Sequence, residues 1–486
     1  MTSNLNLKST CFTFKRYLTL SISGSFSRPL VVSLLDVGQV SDSSGNDNPV
    51  LLLPAEITAK IFRHCLPAPT IVESDPHKYP AWSSRYQAPL LLAQICRQWR
   101  NVCLDTSELW TSIAFKEKGH PELVDLWLSR ARNRSLTIFL RGPRARRLMP
   151  AILRYHSQWQ DVCLDLPYRV LPLLSMTAFP RLERLAPSWA FNNDTEAFGP
   201  AVPRLLLIIR NAPLLRYANL NHVPNANLPF EQLTTLHFHY SPDILHTVAI
   251  LQRSPNLLDL YWLDTGGDLP VTTPPPAPVK LALLRSLKIG DPRLLSLLTA
   301  PRLQRLEMVR KIHKVIDGAA ANALARLLRR SSCDLQFLVL SLQGERTSAA
   351  ALERFLRAAG PVPHLTLNQA TIDIQMPALE GVGVLPGLKH LEIRDHVLQE
   401  SYDHNRRNLP SLRDHYRALL KTLWRRQRNG TLESFELFLC TAPEAPLPVL
   451  PAELIAEFLA LAEAGLRVRV AHDHDRGVVL DIHLAQ

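Results

Sequence analysis

Histidines, carboxylates, thiols and glycines are the residues of this 486-residue chain whose types could do chemistry, and their spacing brings none of them together. His472-Asp473-His474-Asp475 offers imidazole and carboxylate, both metal ligands. Successive residues of a strand point to opposite faces, so the four cannot converge on one ion. His237 and His239 share one strand face, where a solvated surface is expected rather than a metal. Gly381-x-Gly383-x-x-x-Gly387 has the wrong spacing for a phosphate-cradling loop and precedes a strand pattern, so it reads as a turn. G-x-S-x-G, H-E-x-x-H and G-x-x-x-x-G-K-[ST] are all missing from the sequence. Seven cysteines, scattered and without a C-x-x-C pair, point to a reducing compartment, cytoplasmic or nuclear, and Cys96 and Cys103 read as buried free thiols. The chain is therefore expected not to be an enzyme, with no catalytic residue, metal or cofactor.

Composition narrows the remaining classes. Hydrophobic residues at 46% and charged residues at 20% are globular values. No apolar run approaches the ~18 residues of a membrane helix, so a membrane is not expected as a partner. The net charge of +12 permits acidic or nucleic-acid partners. The basic clusters Arg141–Arg147 and Arg425–Arg428 lack the interleaved aromatics that stack bases, so they read as solvated faces and nucleic acid is not the expected ligand.

The elements that would position a binding surface begin after residue 49. Residues 1–49 are Ser- and Thr-rich, with a linker-like stretch from Asp36 to Pro49, and read as a disordered tail. Leu53-Pro54-x-Glu56-Ile57-x-x-x-Ile61-Phe62 reads as a helix with Pro54 in its first turn and Ile57, Ile61, Phe62 and Cys65 on one face. Ile71–Ala88 reads as a loop. A second helix opened by Pro89 should carry Leu92, Ile95, Cys96, Trp99, Val102 and Cys103 as one continuous stripe. Asp105-Thr106-Ser107-Glu108 then resembles a cap for a short helix with Leu109, Trp110 and Ile113. An amphipathic helix from Pro121 and a strand at Leu136-x-Ile138-x-Leu140 follow.

From there one pattern returns: apolar-x-x-apolar-x-apolar. It occurs at Trp159, Leu215, Leu233, Leu257, Leu284, Leu303, Leu335, Val362, Leu388 and Leu432, with a truncated copy at Leu182. After Leu215 the steps run from 18 to 32 residues, except for one of 44 between Leu388 and Leu432. That last step hides either an insertion or a missed repeat. Helical patterns such as Ala319–Arg330 and Ala349–Ala359 fill the intervals. Val271–Val279 and Ala442–Pro451 read as loops. Alternating strand and helix at this period implies stacked repeats with one parallel strand each. The positions between the apolar ones then form an outward row: Tyr217, Asn219, His237, His239, Asp259, Tyr261, Lys288, Arg305, Glu307, Phe337, His364, His390, Glu392 and Arg394. Its mixture of rings and both charge signs suits protein recognition.

The segment Leu53–Ile113, with Cys96-Arg97-x-Trp99-Arg100 and Leu109-Trp110-x-x-Ile113, resembles an F-box in the form found in large fungal families. The repeated segments resemble an irregular leucine-rich-repeat domain without the Asn or Cys that usually follows the strand. The resemblance implies an α/β chain: an F-box at 50–116, then a leucine-rich-repeat-like solenoid of parallel strands at 117–486. It implies docking on the Skp-type adaptor of a cullin-RING ubiquitin ligase through Leu53, Pro54, Ile57, Ile61, Phe62, Leu92 and Trp99. A protein substrate, not identifiable from sequence, would meet Tyr217, His237, Tyr261, Lys288, Arg305 and Arg394 on the repeats. The alternatives are a repeat-based scaffold without ligase assembly, to which the long Ile71–Ala88 loop would be suited, and a basic nucleic-acid-binding protein.

Overall fold

The computed structural model describes residues 51–66, 88–116, 120–142, 147–165, 173–174, 177–188, 207–209, 211–220, 226–238, 244–263, 277–309, 316–342, 347–368, 372–381, 383–395, 412–440, 450–472 and 478–482. The expected tail, most of the loops at 71–88, 271–279 and 442–451, His239 and Asp473–Asp475 lie outside them. The chain is mixed α/β with a large parallel sheet. It divides into two compact units, one running to Phe139 with Pro150–Tyr155, the other formed by Leu140–Met149 and the residues from His156 on.

The first unit is built around aromatic rings. Its opening helix, Ala55–His64, begins after Pro54, whose carbonyl accepts from the Ile57 and Thr58 amides. The expected second helix is not continuous. Leu92–Ile95 ends at Cys96, which is fully extended (φ −152°, ψ 170°), and a new helix runs Arg97–Asp105. Cys96 Sγ accepts from the Trp99 amide at 3.4 Å, so the thiol caps the restarted helix. Arg100 Nε donates across the break to the Ala93 carbonyl. Apolar spacing survives a change of axis direction, which is why the break was invisible to periodicity. The expected short helix is a single 3-10 turn, Ser107–Trp110, and Ile113 belongs to the strand Ser112–Lys116 that follows.

Trp110 Nε1 donates to the Cys103 carbonyl, and Trp127 Nε1 donates to the Trp110 carbonyl. The two indoles meet edge to face at 4.9 Å, with the Arg130 guanidinium over the Trp110 ring. Trp127 lies on the expected helix, Pro121–Arg130, so this helix shares the core of the first unit, and the boundary expected at 117 falls inside that unit. Glu108 bridges Arg63 and Arg134, tying the opening helix to the 3-10 turn.

In the second unit every repeated segment has become a strand, and the strands lie side by side in chain order. They include Trp159–Asp165, Arg184–Ser188, Tyr217–Leu220, Thr235–Phe238, Asp259–Trp262, Ser286–Ile289 and Arg305–Met308. Phe337–Ser341, His364–Asn368, His390–Asp395 and Ser434–Leu439 continue the series. The three apolar positions of each full copy point inward. Leu284, Leu287 and Ile289 are buried, as are their counterparts in the neighbouring strands. Register is uniform: Leu260, Leu287, Leu306, Leu338, Leu365, Leu391 and Phe435 are successive partners. Where an Asn ladder was missing from the sequence, backbone bonds take its place after several strands, as in Leu263 N to Phe238 O and Gly290 N to Trp262 O. Gly290 is required there, because a Cβ would lie 2.0 Å from the Leu263 carbonyl oxygen.

One open choice is resolved and one feature is added. The strand His390–Asp395 pairs directly with Ser434–Leu439, so the 44-residue step is an insertion, carrying the helix Leu412–Arg428. The series also runs past Leu432. Arg467–His472 adds a parallel strand, and Val478–Ile482 closes the row antiparallel.

Helices fill intervals as expected at Gly318–Ser331 and Ala349–Ala359, capped by the Asp317 and Ser348 side chains. The Arg425–Arg428 cluster, expected to be solvated, is split by the helix: Arg426 is buried. Its guanidinium donates to the carbonyls of Leu379, Val384 and Leu385 at 2.7–3.2 Å. Arg425 and Lys421 meet Glu380 outside.

Candidate protein-binding surfaces

Two surfaces carry the residues singled out from sequence. On the first unit they sort by depth. Phe62, 1% exposed, and Leu92 are buried, and Phe62 meets the half-buried Trp99 edge to face at 4.9 Å. These three rings and side chains therefore serve the unit's own core at least in part. Leu53 is half-buried and Pro54 exposed. Ile57 and Ile61, one turn apart on the same helical face, are each 41% exposed, Ile95 is 52% exposed and Leu52 is 73% exposed. A small unit that leaves several large aliphatic side chains in water presents an apolar surface suited to a partner. Cys103, by contrast, is sealed. Burial pushes its thiol up to about 12, which keeps it protonated and unreactive.

On the second unit the outward positions form two ladders. In one, Asn219, His237, Tyr261, Lys288, Glu307, Val339, Thr366, Glu392, Glu436 and Arg469 are successive partners. In the other, Arg305, Phe337, His364, His390, Ser434 and Arg467 succeed one another. Adjacent rungs sit about 4.8 Å apart, so neighbouring side chains touch.

The contacts are continuous. Tyr217 and His237 are buried, contrary to the exposed row expected, and the Tyr217 hydroxyl lies 3.3 Å from His237 Nδ1. His237 meets Tyr261 at 5.1 Å, and Lys288 stands over the Tyr261 ring. Burial, then the nearby Glu307 carboxylate, raises the Tyr261 phenol, which stays protonated. Lys288 pairs with Glu307 at 2.7 Å, and Arg305 approaches the same carboxylate at 3.8 Å. Arg394 pairs with Glu392 at 2.7 Å and covers Phe438. Lys288, Arg305 and Arg394 are thus not the unsatisfied cations that an anionic partner would seek.

Phe337, His364 and His390 stack face to face at 4.5 and 4.2 Å. Burial lowers both histidines, and for His364 the adjacent His390 adds to the shift. Two neutral stacked imidazoles are compatible at this spacing, whereas two cations would repel.

Four residues that sequence reasoning missed join this row: Ser434, Glu436, Arg467 and Arg469. The alternation Leu466-x-Val468-x-Val470 was the available signal, with Val468 and Val470 in phase with Phe435 and Leu437 and Leu466 one residue past the leading position.

Among the described residues no helix is long and apolar enough to cross a membrane. Compared with known proteins, the chain matches no family model and no curated sequence.

Proposed function

We propose that the chain is the substrate receptor of a cullin-RING ubiquitin ligase. Its first unit acts as an F-box on a Skp-type adaptor, and its second, read as an irregular leucine-rich-repeat-like solenoid, holds a protein substrate. The chain then does no chemistry itself. It positions an acceptor lysine near ubiquitin loaded elsewhere in the complex. The observation that carries this reading is the exposure of Ile57, Ile61 and Ile95, aliphatic residues of the F-box-like segment, around a core already closed by Phe62 and Trp110. The solenoid reading is supported by the chain-ordered parallel strands in uniform register. The nucleic-acid alternative is disfavoured by the same face, because Lys288 and Arg305 share Glu307 and Arg394 holds Glu392.

The test is co-purification with a co-expressed Skp-type adaptor. Wild type should retain adaptor and cullin. Ile57→Asp/Ile61→Asp should retain neither while unfolding at the wild-type temperature, since both positions are exposed. Loss of an anchor at the centre of an interface typically costs ≥ ~2 kcal/mol, so Leu53→Ala/Pro54→Ala should also lose most of the adaptor. A folded wild-type chain that brings down no adaptor ends the ligase reading and leaves the scaffold.

A further inference from the structure

We propose that the outward face of the strands Ser434–Leu439 and Arg467–His472 binds the side-chain carboxylate of an acidic peptide segment. A cavity of about 280 Å³ opens there, lined by His390, Ser434, Glu436, Arg467 and Arg469. That volume admits a carboxylate with accompanying water.

One of its cations, Arg467, differs from Lys288, Arg305 and Arg394, and the other, Arg469, is held as loosely as Arg305. Lys288 and Arg394 each hold a carboxylate at 2.7 Å. Lys389, beside the cavity, holds Glu433 at 2.9 Å. Arg467 is exposed, and its guanidinium makes no hydrogen bond or ion pair with a described residue. Arg469 reaches Glu436 only at 3.7 Å, too long for a hydrogen bond, and its buried Nε has no hydrogen-bond partner. A buried donor left unsatisfied costs about 1–3 kcal/mol, so an acceptor entering the cavity relieves an existing deficit. The Ser434 hydroxyl and His390 Nδ1 lie 2.6 Å apart and satisfy each other.

Charge selects the ligand. Arg467, Arg469 and Lys389 face two carboxylates, Glu433 and Glu436, and burial keeps the neighbouring His390 neutral, so one positive charge is left over. One monoanion completes the balance, while a phosphate dianion would leave excess negative charge beside Glu436. Guanidinium and carboxylate also match geometrically, through paired N–H donors. The peptide's role as a ubiquitination substrate rests on the receptor reading above, but its binding does not require the adaptor.

The experiment uses the purified full chain and fluorescein-labelled nine-residue peptide pools. Each pool has a fixed central Glu, Gln or phosphoserine and flanks of Ala, Gly, Ser, Leu and Val, and binding is read by anisotropy. The Glu pool should bind about tenfold more tightly than the Gln pool, with the gap narrowing as salt rises from about 50 to about 500 mM. Arg467→Gln should abolish the preference, as should Arg469→Gln, while Lys288→Gln, the same change in charge, should keep it. Thermal unfolding checks each variant. Equal binding of the Glu and Gln pools, a preference surviving both arginine variants, or phosphoserine outbinding Glu would overturn the proposal. A chain that shows the preference but binds no adaptor would sink the ligase reading alone. A chain that binds adaptor without the preference would sink this site alone.

Discussion

The first unit leaves aliphatic side chains in water and buries its rings, whereas the outward strand face of the second unit exposes rings and charges that already satisfy one another. Ile57, Ile61 and Ile95 keep 41%, 41% and 52% of their surface in water, so covering that apolar surface is gain from the outset. On the strand face, a newcomer at Lys288 must first displace Glu307, and at Arg394 it must displace Glu392. The lesson is that conspicuous charge is a poor guide to a binding site in this molecule. What matters is whether the group is already answered, and by that measure Arg467 stands apart from Lys288 and Arg394.

The contrast within the first unit can be broken most severely at Phe62. Phe62→Ala should destabilise that unit by about 3–5 kcal/mol, through lost burial and lost contact with Trp99. Ile57→Ala, at an exposed position, should stay within about 0.5 kcal/mol. Chemical denaturation of the two variants checks this, and similar losses would mean that Ile57 belongs to the core.

In the second unit the largest effect should come from Arg426→Leu. It strips the carbonyls of Leu379, Val384 and Leu385 of their donor, and hydrogen bonds from a charged group contribute ~1.5–3 kcal/mol each. A fall of at least about 2 kcal/mol in unfolding free energy is expected, whereas Arg425→Leu, outside on Glu380, should cost under ~1 kcal/mol.

Asp161 sharpens the comparison by pH. Burial raises its carboxyl to about 6, against the pull of Arg184 at 3.5 Å and with a push from Glu183, and its Oδ1 has no hydrogen-bond partner. Between the ordinary value of 3.8 and about 6 the folded chain holds a proton that the unfolded chain has released. Stability from this group is therefore complete below the lower value and declines as pH rises through the interval, by roughly 3 kcal/mol. Asp161→Asn should flatten that decline in urea midpoints measured across the window, and an unchanged slope would refute the assignment.

The smallest effect belongs to the paired ladder. Lys288→Met removes the contact to Glu307 yet keeps apolar cover on Tyr261, and should shift stability by less than about 1 kcal/mol.

Much of the architecture was legible because it is periodic. Each apolar-x-x-apolar-x-apolar segment became a strand, since its side chains can be buried together only when the backbone is extended and the leading Leu turns inward. The Pro121 helix and the intervals at Ala319 and Ala349 were equally plain, with a proline or a capping Asp or Ser at their starts. The break at Cys96 was not legible, because a change of helix axis leaves spacing intact. Nor was the burial of Arg426, because the carbonyls that hold it come from residues more than forty positions earlier. The candidate anionic site fell between these cases. Arg467 and Arg469 could be placed on a strand by alternation, but whether a cation is answered depends on which neighbour the register brings alongside. Local periodicity and end signals thus determined the elements of this protein. Which groups are covered, paired or left over was decided only when parallel strands brought distant residues within about 5 Å of one another.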